Sequence, residues 1–143
     1  MRVSEAMSRE VKIANPQQRI SEAAKTMAEI DAGVLPVAEN DRLVGMITDR
    51  DIAVRAVAGG KGPDTPVREV MTADVKFCYE DEDLVHVSKN MAEQQVRRLP
   101  VVSRDKRLVG ILALADIAAT EGSRVTGRAV EGITRPGGRH TSP

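Results

Sequence analysis

Aromatic residues are almost absent from this chain of 143 residues, which contains one Phe, one Tyr and no Trp. Hydrophobic residues still make up 41% of the sequence, so a buried core is expected, and it must be aliphatic. A core of Val, Ile, Leu, Met and Ala favours a sheet covered by helices. The lack of aromatic platforms also counts against binding nucleic acid by base stacking.

Cysteine and long apolar runs are equally scarce. Cys78 is the only cysteine, which excludes an internal disulfide, and its apolar neighbours Val75 and Phe77 predict a buried, unreactive thiol. No 18 apolar residues run together and no charged-then-apolar leader is present, so neither membrane spanning nor secretion is expected. We therefore expect a cytoplasmic protein.

Net charge is lacking too, because 21 Lys and Arg balance 21 Asp and Glu. No overall field therefore attracts nucleic acid or an anionic membrane. The stretch 122–143 is locally basic, with four Arg against one Glu, and it is rich in glycine. We expect it to be a flexible tail that offers weak, nonspecific contact with nucleic acid at most.

An internal repeat organises the rest of the chain. Residues 3–7 (VSEAM) correspond to residues 67–71 (VREVM) at an offset of 64 residues. Order, spacing and residue type recur along both copies, so chance is a poor explanation. The further matches pair 27–29 with 91–93, 35–37 with 99–101, 42–45 with 107–110, and 51–53 with 116–118.

Each copy reads as a β-α-β-β-α unit. Apolar residues at helical spacing predict the helices, and short apolar runs separated by polar turns predict the strands. Glycines follow the second helix of each copy and are expected to end it. The predicted segments are strand 11–14, a helix from Ile20, strands 34–38 and 43–48, helix 49–58, strand 75–79, a helix from Leu84, strands 99–102 and 108–112, and helix 114–121.

The fold class is therefore α/β (α+β), with two tandem units. We assign residues 1–60 to the first repeat, 61–66 to a linker, 67–121 to the second repeat and 122–143 to the tail. A single unit of about 60 residues buries too little surface to be stable alone. We expect the two repeats to pack sheet to sheet with pseudo-two-fold symmetry.

These features resemble a paired cystathionine-β-synthase (CBS) domain, or Bateman module. The likeness covers residues 3–119 and rests on an apolar-Pro-Val strand and a Gly-x-x-Thr-x-x-Asp turn into a helix. It implies a non-catalytic regulator that binds an adenosine-containing ligand between the repeats, such as AMP, ADP, ATP, NAD or S-adenosylmethionine, with no obligatory cofactor. It also implies a homodimer and an effector protein on another chain.

The first candidate site is Gly-Met-Ile-Thr-Asp-Arg-Asp at residues 45–51. A strand ends and a helix begins there, so free backbone N–H groups and the Thr48 hydroxyl favour a phosphate. The resemblance gives Asp51 the role of binding ribose hydroxyls. The same spacing also forms a capping box that only stabilises the helix start. In the second copy Asp116 is kept but Ala113 replaces the hydroxyl, so the first cleft is the preferred site.

Arg97 and Arg98 are the candidate phosphate ligands. The resemblance places cations there that reach across the repeat interface, and a guanidinium can meet phosphate oxygens in bidentate fashion. A solvated surface pair is the alternative. An adenine ring would need an apolar wall, although simple core packing explains each wall candidate as well. The wall candidates are Val34, Leu35, Pro36, Met46 and Ile47.

Catalysis and metal binding find no support in the sequence. The two histidines, His86 and His140, lie far from any nucleophile pattern, and the acidic run 80–83 precedes a helix whose dipole it complements. The rival function from another class is a ligand-free structural module that dimerises or docks to a partner.

Overall fold

The computed structural model of the chain describes residues 1–136, apart from the side chain of Ser123. Its helices and small sheets form the mixed α/β fold that the sequence predicts. In chain order the elements are α1 (Val3–Ala6), α2 (Ile20–Ile30), β1 (Val34–Glu39), β2 (Arg42–Thr48), α3 (Asp49–Asp51), a π-helix (Ile52–Val57), a 3₁₀-helix (Val67–Glu69), β3 (Cys78–Tyr79), α4 (Leu84–Gln94), β4 (Arg98–Val102), β5 (Leu108–Ala113), α5 (Leu114–Glu121) and α6 (Ser123–Ile133).

The chain divides into two compact units, and one is inserted into the other. The inserted unit is the continuous segment 12–75, and the split unit combines residues 1–11 with the chain from Lys76 onward. These boundaries differ from those of the sequence repeats. The first residues of each repeat belong to the compact unit that contains the helices and strands of the other repeat.

The inserted unit is organised around the antiparallel pair β1 and β2. Asn40 and Asp41 form the two-residue connection, and both have positive φ values of 52° and 64°. That backbone twist matches the twist of paired strands, so the connection fixes the register of the hairpin. The core of this unit comprises Ala14, Ile20, Ala23, Met27, Leu35, Val37, Ile47, Ala56, Val67 and Val70.

The split unit contains a three-stranded sheet in the order β3-β4-β5. Strand β3 runs parallel to β4, which pairs antiparallel with β5. Asp83 caps the start of helix α4, because its carboxylate accepts a hydrogen bond from the His86 amide at 3.2 Å. The core of this unit comprises Val3, Met7, Cys78, Leu84, Val87, Met91, Val96, Leu99, Val101, Leu112 and Ile117.

Two short stretches, which we call the crossing segments, carry the VxExM motif and have equivalent places in the two units. Residues 3–8 lie in the split unit, where the backbones of Ser8 and Ile111 exchange two hydrogen bonds of 2.9 Å. Residues 67–72 lie in the inserted unit, where Thr72 and Met46 exchange two bonds of the same length. Each crossing segment therefore completes the sheet of the repeat to which it does not belong in sequence.

Two of the predicted strands are much shorter than expected. Residues 11–14 supply only a bridge from Ala14 to Val37, because the Asn15 side chain accepts the Gln17 amide at 3.0 Å and turns the chain. The predicted strand 75–79 is reduced to β3. The predicted helix 49–58 is present, but most of it has π geometry, with the Ala58 amide bonded to the Ala53 carbonyl.

The prediction of a flexible tail is wrong for residues 123–133, which form helix α6. Ala129 and Ile133 of this helix are buried, at 2% and 4% exposure. The Gln95 side chain donates hydrogen bonds to the carbonyls of Gly132 (3.1 Å) and Arg135 (3.0 Å) at the helix end. Residues 137–143, including His140, lie outside the described part of the chain.

Burial makes the thiol of Cys78 a poor nucleophile. The residue is 3% exposed, and desolvation, with a smaller contribution from Glu82, raises the pKa of its thiol to about 12. At pH 8 the folded protein should therefore react with a thiol reagent such as DTNB only after unfolding in guanidinium. Rapid release of one equivalent of thionitrobenzoate from the native protein would contradict this burial.

No helix within residues 1–136 combines the length and the apolar character that crossing a membrane requires.

Candidate functional site

Thr48 and Asp51 form a reciprocal pair of hydrogen bonds at the point where β2 becomes α3. The Asp51 amide donates to Thr48 Oγ1 at 2.9 Å, and the Thr48 amide donates to Asp51 Oδ2 at 3.0 Å. This is the capping box that the sequence analysis held as the alternative. The pair fixes both side chains at the helix start before any ligand is present.

The second oxygen of the Asp51 carboxylate faces Arg55. The Arg55 Nε atom lies 3.7 Å from Asp51 Oδ1, which is an ion-pair distance but too long for a hydrogen bond. The Asp51 side chain is 14% exposed and the Arg55 side chain 54% exposed. A carboxylate oxygen accepts two hydrogen bonds, so Oδ1 keeps the capacity to accept from ligand hydroxyls.

Three of the predicted wall residues share one face of the β1–β2 pair with Thr48. Val34 is paired with Thr48, and Pro36 is paired with Met46. Directly opposed residues project to the same face of an antiparallel pair, and residues two apart along a strand do so as well. The structure therefore brings Val34, Pro36 and Met46 to the same side of the hairpin as the Thr48 hydroxyl.

Leu35 and Ile47 lie on the opposite face and belong to the core. They pair with each other, are 1% and 0% exposed, and are part of the hydrophobic cluster that contains Met27 and Val37. Core packing, which the sequence analysis left open for each wall candidate, is therefore the role of these two residues. Strand alternation explains why consecutive apolar residues divide between the two faces.

Gly33 and Asp49 are joined by a backbone hydrogen bond next to the Thr48–Asp51 motif. The Asp49 amide donates to the Gly33 carbonyl at 2.9 Å. A Cβ atom at position 33 would lie 2.7 Å from the Asp49 carboxylate, which is the end of an exposed side chain and could move away. The second repeat has Arg97 where the first has Gly33, and the same backbone bond forms there, so a side chain is compatible with it.

The second motif, residues 110–116 of the second repeat, forms only one of the two hydrogen bonds that join Thr48 and Asp51. The Ala113 amide donates to Asp116 Oδ2 at 2.8 Å, as the Thr48 amide does to Asp51. The methyl group of Ala113 cannot return a hydrogen bond to the Asp116 amide, so the capping box is incomplete. Thr120 stands where the first motif has Arg55, and its hydroxyl donates to the Asp116 carbonyl at 2.9 Å.

Arg97 and Arg98 are exposed and lie beside the second motif of their own unit. Arg98 is paired with Ala113, which is the position that Val34 occupies beside Thr48 in the first motif. The Arg97 carbonyl accepts the Leu114 amide at 3.0 Å at the start of α5. The second motif thus has the cationic Arg98 side chain opposite Ala113, whereas the first has the apolar Val34 side chain opposite Thr48.

Two titratable groups outside the motifs, Asp81 and His86, make local side-chain contacts. Asp81 receives a two-pronged contact from Arg104, with Nε at 2.9 Å and Nη2 at 2.8 Å, and these hydrogen bonds lower the pKa of the Asp81 carboxyl. His86 contacts the Asn90 side chain at 3.4 Å. Among residues 1–136, no three His, Cys, Asp or Glu side chains are grouped so that they could hold a metal ion.

Comparison with known proteins assigns the family. The CBS domain model matches residues 3–57 and 67–121. CBS domain-containing protein YhcV of Bacillus subtilis is 42% identical over 119 residues, which cover 83% of this chain and 84% of that protein. Hypoxic response protein 1 of Mycobacterium tuberculosis is 41% identical over 103 residues, 71% of each chain.

Two solved structures are similar over the same region. Hypoxic Response Protein I, solved with two coordinated zinc ions, gives a TM-score of 0.74 at 36% identity, covering 83% of this chain and 98% of that one. The CBS domain pair of protein MJ0100, solved in complex with 5′-methylthioadenosine and S-adenosyl-L-methionine, gives 0.71 at 33% identity, covering 83% and 94%. The sequence motifs, the repeated units and these matches agree: the chain belongs to the CBS domain family and contains a pair of CBS domains.

Proposed function

We propose that the chain is a non-catalytic regulatory module that binds an adenosine-containing ligand at the Thr48–Asp51 motif. One observation carries the proposal: the Asp51 carboxylate is largely buried and fixed at a helix start, yet its Oδ1 atom keeps the capacity to accept hydrogen bonds. Two ribose hydroxyls would donate to it, and charge-assisted bonds of this kind are strong. The MJ0100 complex supports a ligand of this class.

The other contacts complete the proposed site. Val34, Pro36 and Met46 supply the apolar surface for the adenine ring, and the Thr48 hydroxyl contacts the phosphate or sulfonium end of the ligand. Arg97 and Arg98 add positive charge for an anionic ligand such as AMP, ADP or ATP. Asp116, which accepts the amide of Ala113 in the second motif, belongs to a second and weaker site.

Regulation then follows from differential affinity. A ligand shifts a conformational equilibrium only if it binds one state more tightly, so the proposed ligand must contact groups whose relative positions change. We propose that the module acts as a homodimer in the cytoplasm and passes this change to an effector protein on another chain.

A ligand-free structural module is the second candidate, and the complete capping box favours it. Thr48 and Asp51 satisfy each other without a ligand, as they would if their only role were to stabilise the helix start. Mass spectrometry of the gently purified protein separates the two candidates. A co-purifying nucleotide supports the regulator, whereas an empty protein that still dimerises supports the scaffold.

Titration calorimetry with AMP, ADP, ATP, NAD and S-adenosylmethionine tests the site. Asp51→Asn keeps an oxygen for the Thr48 amide but loses the charge and the second acceptor, so affinity should fall about tenfold, or ~1.4 kcal/mol. Asp116→Asn is the matched control and should change the tighter binding event by less than about twofold. Equal affinities of Asp51→Asn and the parent protein would refute the assignment.

A further inference from the structure

Arg55 joins the candidate site to the crossing segment 67–72. Its Nε atom lies 3.7 Å from Asp51 Oδ1, and its Nη1 atom donates to the carbonyls of Val70 at 3.4 Å and Met71 at 3.3 Å. Thr48 and Asp51 were singled out by the sequence motif, whereas nothing in that motif identifies Arg55. One guanidinium thus contacts both the carboxylate and the backbone of a separate part of the chain.

The backbone that Arg55 holds is continuous with the strand that leads into the site. Thr72, directly after Met71, exchanges two backbone hydrogen bonds with Met46, and Met46 lies two residues before Thr48. Met71 also packs against Gly45, where an added Cβ would lie 2.8 Å from its sulfur atom. A shift of residues 70–72 would therefore be felt at the end of β2.

The second repeat has no equivalent of this connection. Thr120 occupies the position of Arg55, and its hydroxyl is bonded to the carbonyls of its own helix. The matching helix α5 is a regular α-helix, whereas Arg55 lies in a π-helix, a geometry that is frequent at functional sites. The fold forms without the arginine, so its presence in the first repeat calls for a separate explanation.

We propose that Arg55 is a positioning residue that holds the Asp51 carboxylate for ribose binding and fastens residues 70–72 to the site. Its guanidinium lies beside Asp51 Oδ1 and orients the carboxylate, while the long 3.7 Å separation leaves room for ligand hydroxyls. Occupancy of Asp51 and the order of residues 70–72 are therefore coupled. This inference rests on the proposed function, because it assigns the coupling to the same site.

Arg55→Thr, which copies the second repeat, tests the proposal with two readouts. Without ligand, amide hydrogen exchange at Met71 and Thr72 should be about 3- to 10-fold faster than in the parent, because the segment is released. With ligand, the affinity for AMP should fall about 3- to 10-fold, whereas that for 2′-deoxy-AMP should stay within about twofold. The preference for the ribose 2′-hydroxyl should therefore shrink by the same factor.

Two further variants serve as controls. Arg42→Thr removes the same charge from the exposed start of β2, outside the candidate site, and should leave both readouts at the parent's values. Arg55→Lys keeps the positive charge but loses the planar guanidinium that bonds to two carbonyls. Amide hydrogen exchange at residues 71–72 should therefore become faster, while most of the preference for the ribose 2′-hydroxyl remains.

The outcomes separate this proposal from the one on which it rests. Unchanged hydrogen exchange in Arg55→Thr overturns the fastening role, whatever binds. Equal weakening of AMP and 2′-deoxy-AMP overturns the positioning role, because a merely structural arginine would affect both alike. If the parent binds neither nucleotide, the coupling is overturned, and the proposed function also falls if the other four ligands fail.

Discussion

Replacing Gly110 with Val is expected to destabilise the protein by about 3 kcal/mol, near the top of the range for overpacked sites. An added Cβ would lie 2.6 Å from the Met7 sulfur and 2.7 Å from the Ser8 carbonyl oxygen. The sulfur can move, but the carbonyl is fixed by the backbone bonds between Ser8 and Ile111. The crossing segment 3–8 must therefore separate from β5.

Chemical denaturation measures this loss, and hydrogen exchange locates it. Protection should fall at Ser8 and Ile111, which share the two backbone hydrogen bonds. Gly62→Val is the matched control, because nothing lies within 4 Å of a Cβ at that position, and its stability should stay within about 0.5 kcal/mol of the parent. Parent-like stability and protection in Gly110→Val would show that residues 3–8 do not lie against β5.

Replacing Gly132 with Leu is expected to displace helix α6 from α4, again at a loss of about 3 kcal/mol. A Cβ at this position would lie 2.6 Å from the Ala92 Cβ and 3.0 Å from the Ala92 backbone. Two helix backbones meet closely there, so a side chain has no room and a rotamer change cannot relieve the clash. The two hydrogen bonds from Gln95 to the end of α6 would be lost with the contact.

Replacing Gly127 with Leu, five residues earlier in the same helix, is expected to change the stability in the opposite direction. Nothing lies within 4 Å of a Cβ at Gly127 in the same helix, so Gly127→Leu should stabilise α6 by up to about 1 kcal/mol through helix propensity alone. The melting temperature of Gly132→Leu should therefore be lower than that of the parent protein, and that of Gly127→Leu should be higher. If both raise or both lower the melting temperature, the close contact between Gly132 and Ala92 is refuted.

Local pattern was sufficient to predict most elements of the two repeats. The predicted strands 34–38 and 43–48 differ from β1 and β2 by one residue at one end of each, and the predicted helix 114–121 coincides with α5. These segments are defined by side-chain periodicity and by turn residues at their ends, which are properties of the nearest neighbours in the chain.

Contacts between residues that are distant in the sequence could not be predicted from local pattern. The motifs at 3–7 and 67–71 share three of their five residues, and nothing in them indicates whether each packs on its own repeat or on the other one. For α6, the glycines at 127 and 132 suggested a flexible chain, and the apolar spacing of Val125, Ala129 and Ile133 was overlooked. Gly132 instead permits the close contact with Ala92 of helix α4, a residue that is distant in the sequence.

The candidate site was predicted in part. The sequence identified Thr48 and Asp51, whose mutual bonds depend only on a spacing of three residues. It could not divide the wall residues, because a continuous apolar strand does not show which side chains face the core, and Leu35 and Ile47 do so. It missed Arg55, whose partners at Val70 and Met71 are 15 and 16 residues away.

The insertion of one compact unit into another has a consequence for synthesis on the ribosome. Residues 12–75 leave the ribosome together, whereas residues 1–11 emerge before them and cannot make their native contacts until partners as distant as Ile111 have been synthesised. Residues 1–11 are thus synthesised before the inserted unit but reach their native place only after that unit has left the ribosome. Until then their apolar residues Val3 and Met7 are open to chaperones and proteases.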